Sequence, residues 1–296
     1  MNAHPGFVRD YDELTDVRAR EPQRIFELFG LRTRRSIAGA GRQLMIIACD
    51  HPARGALSVR GKPAAMADRW DLLERLTTAL GRPGVDGVLA TPDIVEDLLL
   101  LGALEDKLVF GSLNRGGLAG SAFELDDRHT AYDVPGVVDS GLDGGKMLLR
   151  IDLDDPGTVA TMQTCGASVS QLARAGRVAM VEPFMSRRVD RGIVNDLRAD
   201  EVALSVNIAQ GLGATSAYTW LKLPVVDDMA RVMRATTLPT LLLGGDPNGD
   251  PDSTYAQWAA ALALPSVRGL VVGRALLYPA DDDVSKAVDT AVSLVR

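Results

Sequence analysis

Residues 44–52 read Leu-Met-Ile-Ile-Ala-Cys-Asp-His-Pro. Six apolar residues in a row stop at a charged turn. The run is too short for an ordinary helix and shows no polar alternation. That is the pattern of a strand buried on both faces. Seven more runs of this kind follow, at 85–90, 108–112, 145–150, 177–181, 217–223, 240–243 and 269–272. The stretches 64–80, 94–102, 158–175, 200–211, 227–235 and 254–264 carry helical periodicity between them. Short apolar strands alternating with helices imply a parallel sheet, and eight such units are the arithmetic of a (β/α)8 TIM barrel. A doubly wound open sheet is the alternative. It would want a G-x-G-x-x-G after the first strand, and none is there. The expected organisation is an N-terminal helical extension over 1–40 and a barrel over 41–296. Residues 10–29 are helix-compatible, and Arg32, Arg34 and Arg35 read as a solvated linker. The Gly-rich stretch 114–134 is too long for an ordinary connection and reads as a functional loop on the catalytic face.

The chain has 296 residues and a formal charge of −7. An acidic balance argues against nucleic-acid binding. No apolar run approaches the ~20 residues of a membrane span, and the first residues show no apolar signal segment. A cytoplasmic protein acting on small molecules, without nucleic-acid or membrane partners, is the expectation. The two cysteines, Cys49 and Cys165, offer no disulfide framework. The three histidines, His4, His51 and His129, disfavour a zinc-dependent enzyme, so no metal or cofactor is expected. Of 32 basic residues only five are lysines, and two of them, Lys146 and Lys222, stand inside apolar strand-like runs.

A barrel carries its chemistry at the C-terminal ends of its strands. The strand ends here read Cys49-Asp50-His51, Ser112-Leu113-Asn114-Arg115, Val181-Glu182-Pro183, Gly244-Gly245 and Gly273-Arg274. Lys146 and Lys222 lie in the fourth and sixth runs, and Arg150 ends the fourth. A buried lysine is costly to charge, which suits it to attack a carbonyl as a neutral amine. A snorkelling or ion-paired lysine is the plain alternative. Asp50 and Glu182 are candidate acid–base groups or partners for the lysines. His51 is a candidate for hydrogen bonding. Glycines after the seventh and eighth strands suit phosphate, and Arg274 adds a fork to it. Arg115 and Arg150 are candidates for a second anionic group.

Together these motifs resemble the Schiff-base (class I) aldolase superfamily of (β/α)8 barrels. The nearest patterns are those of the archaeal-type fructose-bisphosphate, tagatose-bisphosphate and sulfofructose-phosphate aldolases. The resemblance runs from about Leu44 to Tyr278. It rests on Ile-Ile-Ala-Cys-Asp50-His51-Pro, Gly-Gly-Lys146-Met-Leu-Leu-Arg-Ile-Asp, Val-Glu182-Pro, Trp-Leu-Lys222-Leu-Pro, and Leu-Leu-Gly244-Gly245 with Val-Val-Gly273-Arg274. It implies an oligomeric, metal-independent lyase of carbohydrate metabolism, with Lys222 forming the imine and Lys146 assisting. The archaeal-type enzymes carry a tyrosine acid where this chain has Phe184, which favours Glu182 as proton donor. By analogy with inositol-catabolism enzymes, the substrate is 5-dehydro-2-deoxy-6-phosphogluconate, giving dihydroxyacetone phosphate and malonate semialdehyde. Two rival expectations keep the fold. One is coenzyme A-dependent acyl transfer on a phosphorylated diketone. The other is a sugar-phosphate binding protein without catalysis.

Overall fold

A computed structural model describes residues 6–37, 43–190, 192–245 and 249–295. His4 and the expected boundary at 40/41 lie outside them. The strands among the described residues are β1 (Leu44–Cys49), β2 (Gly87–Ala90), β3 (Leu108–Ser112), β4 (Gly144–Ile151), β5 (Val178–Val189), β6 (Gly192–Asn195), β7 (Thr219–Leu223), β8 (Thr240–Leu243) and β9 (Val267–Val272). The helices are α1 (Asp12–Arg20), α2 (Gln23–Leu31), α3 (Arg69–Gly81), α4 (Pro92–Leu100), α5 (Val134–Asp139), α6 (Gly157–Arg174), α7 (Ala199–Gln210), α8 (Met229–Met233), α9 (Pro251–Leu262), α10 (Arg274–Leu277) and α11 (Val284–Leu294).

Every strand but β6 is parallel to its barrel neighbours, in the order β4-β3-β2-β1-β9-β8-β7-β5. The β4–β5 pairing closes the circle. The chain is therefore a (β/α)8 barrel. Its strands alternate between two apolar environments, as a period of two demands. Leu44, Ile46, Ala48, Leu89, Leu108, Phe110, Val178, Met180, Leu241 and Val271 fill the lumen. Their neighbours Met45, Ile47, Cys49, Val109, Ala179, Val181, Leu221 and Leu242 face the helices.

The eight sequence-predicted strands coincide with the barrel strands to within a few residues, apart from the fifth. β5 continues past its predicted end at 181 because it pairs with β4 as far as Met185 and residues 186–189 then pair with β6 in an antiparallel hairpin. Helix α3 begins at Arg69 and not at 64, where Asp68 caps it by accepting from Trp70 N and Asp71 N. The expected single helix over 10–29 is two helices. Pro22 lacks an N–H and its ring clashes with a continuing turn, so α1 stops at Arg20 and α2 restarts at Gln23. Both pack into the outer core through Leu14, Val17, Ile25, Leu28 and Phe29. Arg18 ties α1 to α4, meeting Glu96 at 2.7 Å and Asp97 at 2.8 Å.

The arginine run at 32–35 is not a solvated linker. Arg32 is buried and donates to the carbonyls of Lys107 (2.8 Å) and Gly141 (3.3 Å). Arg35 meets the fully buried Asp86 at 3.1 Å, and Arg34 lies 3.8 Å from Asp143. Asp86 and Asp143 precede β2 and β4, and their carboxylates accept from Met45 N and Val109 N. The run fastens the segment across the N-terminal end of the barrel. A charge run reads as solvated only when nothing buried needs its charge; two strand-start aspartates and several open carbonyls need it here.

Candidate active site

The alternation that fills the lumen with apolar side chains also delivers the polar ones. One step beyond Ala48 is Asp50, beyond Phe110 is Ser112, beyond Met180 is Glu182 and beyond Trp220 is Lys222. On β4, Met147 and Leu149 face the helices, so Lys146 faces the lumen. Register sets the heights. Ser112 pairs with Lys146, and Lys146 with Met180. Val181 pairs with Leu221, which sets Glu182 and Lys222 side by side one step higher.

The result is a buried chain of charges. Lys222 Nζ donates to Glu182 Oε1 at 2.7 Å, and Lys146 Nζ lies 2.5 Å from Glu182 Oε2. Lys146 Nζ also donates to Asp50 Oδ2 at 3.1 Å. The same Oδ2 accepts from Ser112 Oγ (3.0 Å) and Arg115 Nη2 (2.9 Å). Arg115 further donates to the Asp50 carbonyl and the Asn114 carbonyl. Lys146 and Lys222 are 2% and 4% exposed, so water does little to screen the cluster. Three cations face two carboxylates, a net charge of +1. Burial pushes the carboxyls up, but the cations outweigh it: Lys146 and Lys222 hold Glu182 at about 2, and Arg115 and Lys146 hold Asp50 well below the usual range. Burial, reinforced by Lys222 and Arg115, pushes Lys146 down against the pull of Asp50 and Glu182. Burial also takes His51 down; Arg274, Lys222 and Lys146 add to this against Asp50, and the ring reaches about 3 and stays neutral.

The cluster floors a cavity of about 920 Å³. Asp50, His51, Arg115, Lys146, Arg150, Glu182, Lys222, Gly244, Gly245, Gly273 and Arg274 all line it. Arg115 and Arg150 are engaged with protein acids; Arg150 donates to Glu124 Oε1 (2.5 Å) and to its carbonyl (2.9 Å). Gly273 is glycine for a steric reason: a Cβ there would sit 2.3 Å from the Ala48 carbonyl. Phe184 lines the wall without a hydroxyl group.

The stretch 114–134 is anchored at the mouth by residues that sequence reading missed. Arg54 pairs with the buried Asp127 and donates to the Asn114 and Gly117 carbonyls, both at 2.8 Å. Asn114 bridges to β4 through Leu148 O (2.6 Å) and Leu148 N (2.8 Å), extending the β3–β4 pairing with a side chain. Arg54 follows the Asp50 turn by four residues, but nothing local marks its partner 73 residues away.

Fold and site define a closed (β/α)8 barrel with two buried lysines joined by one carboxylate at the C-terminal ends of its strands. The chain belongs to the Cgl0159-like family, whose model matches residues 42–292. The crystal structure of Cgl0159 from Corynebacterium glutamicum is 55% identical, with a TM-score of 0.93 over 96% of this chain and 95% of that one. A Schiff base-forming fructose-1,6-bisphosphate aldolase, whose reaction intermediates were analysed structurally, is 19% identical with a TM-score of 0.60. The match covers 92% of this chain and all (100%) of that one. The fructose-bisphosphate aldolase of Slackia heliotrinireducens is 15% identical, with a TM-score of 0.63 over 95% and 86% of the two chains. At these identities the two aldolases share the fold. No curated protein matches the sequence.

Proposed function

We propose that the chain is a metal-independent, imine-forming aldolase acting on a phosphorylated ketose or keto-sugar acid. The Lys146–Glu182–Lys222 bridge carries this reading. Among the described residues, Glu182 is the carboxylate that touches both lysines, at 2.5 and 2.7 Å. Aldol cleavage needs a nucleophilic amine and a proton carrier within reach of it.

The chemistry follows from the contacts. Lys222 Nζ gives a proton to Glu182 Oε1 and attacks the substrate carbonyl carbon. Glu182 returns the proton to the carbinolamine hydroxyl, which leaves as water, and the iminium forms. A base takes the proton from the hydroxyl beyond the scissile bond. That bond breaks, its electron pair passes to the iminium, and the aldehyde departs from an enamine on Lys222. Protonation at carbon and hydrolysis release the ketone product. Lys146, pushed down by burial, keeps the bridge cation-rich and contacts substrate oxygens. Asp50, with three donors on Oδ2, holds Lys146 in place and leaves the shuttle to Glu182. Gly244, Gly245, Gly273 and Arg274 hold the phosphate.

The finer assignment is dihydroxyacetone phosphate as ketone product, with 5-dehydro-2-deoxy-6-phosphogluconate as the substrate to assay first. Enamine formation is testable without knowing the aldehyde. Dihydroxyacetone phosphate in D2O exchanges one carbon-bound hydrogen when an enamine forms. Wild type should catalyse the exchange and Lys222→Met should not. Exchange undiminished in Lys222→Met refutes the mechanism. Turnover that requires coenzyme A would select the acyl-transfer reading instead.

A further inference from the structure

Four non-glycine residues among those described have a left-handed backbone: Arg60, Asp106, Asp190 and Asp282. Aspartate tolerates this conformation through its short polar side chain, and arginine has no such excuse. Of the four, Arg60 is the one that lines the cavity. Val59 and Lys62 exchange backbone hydrogen bonds at 3.2 and 2.9 Å. Arg60 and Gly61 are thus the two-residue tip of a tight turn, with φ of +49° and +74°, the signs a type I′ turn requires. Strained backbone of this kind concentrates at binding sites, where it aims a side chain.

The side chain is aimed. Arg60 Nε donates to the Tyr278 carbonyl at 3.1 Å. Tyr278 is the C-cap of α10, the short helix that opens at Gly273 and Arg274. Arg60 is therefore tied to the element that carries the phosphate contacts of the proposed function. One of its five N–H groups is used in this anchor. Among the described residues no carboxylate forms an ion pair with it, whereas Arg54, Arg115 and Arg150 in the same cavity each have one. Asp250, which also lines the cavity, is engaged as the cap of α9.

We propose that Arg60 is a second arginine for the phosphate monoester of the substrate, acting with Arg274 and the glycine N–H groups of the β8 and β9 ends. A dianion held by two guanidinium forks is distinguished from an uncharged hydroxymethyl end, so Arg60 sets the preference for phosphorylated substrates. The proposal rests on the phosphate reading of that end of the cavity, and not on the imine chemistry.

The test is calorimetric titration of the full chain with inorganic phosphate, in wild type, Arg60→Gly and Arg60→Lys, with thermal melts alongside. Glycine suits the positive φ, so Arg60→Gly should melt no lower than wild type. Its phosphate Kd should rise about tenfold or more, the loss expected for a charge-assisted fork. Arg60→Lys should fall between the two. Unchanged affinity in Arg60→Gly overturns the proposal, as does wild type that binds no phosphate. A drop in melting temperature that accompanies the loss of affinity would assign Arg60 to holding the fold, and also overturns it. Borohydride trapping with unphosphorylated dihydroxyacetone reports on the imine alone. An adduct on Lys222 in both wild type and Arg60→Gly, with affinity unchanged, would sink Arg60 and leave the aldolase standing.

Discussion

Removing Lys222 and removing its carboxylate partner should have opposite consequences for stability. The buried cluster holds Lys146, Lys222 and Arg115 against Asp50 and Glu182, for a net +1. Lys222→Met takes it to zero. Methionine also has the length and apolarity to fill the space within Trp-Leu-Lys-Leu-Pro. Glu182 keeps Lys146 at 2.5 Å, so no buried charge is stranded. The expected change is within about 1 kcal/mol of wild type, since replacing a buried ionic group by an apolar one of similar volume is often neutral or stabilising. Glu182→Gln takes the cluster to +2 and replaces one of the two oxygens that accept from the lysines by an NH2 donor. Stranding a buried charge costs about 3–5 kcal/mol, and Lys146 retains only Asp50 at 3.1 Å to soften it. Urea denaturation at pH 7.5 should therefore place Lys222→Met at least about 2 kcal/mol above Glu182→Gln, the difference between those two ranges. Both should be inactive. A Lys222→Met protein as unstable as Glu182→Gln, or more so, would refute the charge accounting of the site.

Acid should destabilise the protein well above the carboxylate range. Burial and the neighbouring cations hold His51 at about 3 in the fold, against an ordinary imidazole value of 6.5. The unfolded chain then binds more protons between those values, so stability falls as pH drops through that window, by at most about 1.4 kcal/mol per pH unit. The slope should be shallower than this limit because 27% of the side chain is accessible. His51→Gln should flatten the decline between pH 6.5 and 5, as measured by urea titration at each pH; an unaltered slope contradicts it. Arg32→Ala should cost about 1–2 kcal/mol by taking the donor from the half-buried Lys107 and Gly141 carbonyls at the N-terminal end of the barrel. A midpoint within error of wild type would return the arginine run to a solvated linker.

The barrel was legible because its strands are buried on both faces and so read as bare apolar runs. Lys146 and Lys222 were legible because a lysine within such a run has no cheap explanation. Asp50, Glu182 and the paired glycines were legible as the polar ends of strands. What sequence hid were relations between distant residues. Arg54 finds Asp127, Arg150 finds Glu124 and Arg35 finds Asp86 only after the chain folds. The β5–β6 hairpin was hidden because its residues carry mixed polarity and form no apolar run. Arg60 left a faint signal, a glycine directly after it, which fits a two-residue turn. Arginine in place of the usual asparagine made that signal easy to pass over.

The most direct measurement is borohydride reduction in the presence of dihydroxyacetone phosphate, followed by peptide mass spectrometry. Imine chemistry at β7 predicts one reduced three-carbon phosphate adduct, on the peptide containing Lys222, with none in Lys222→Met. An adduct confined to Lys146 would assign the nucleophile to the wrong strand, and no adduct on any lysine of the folded protein would contradict the imine itself.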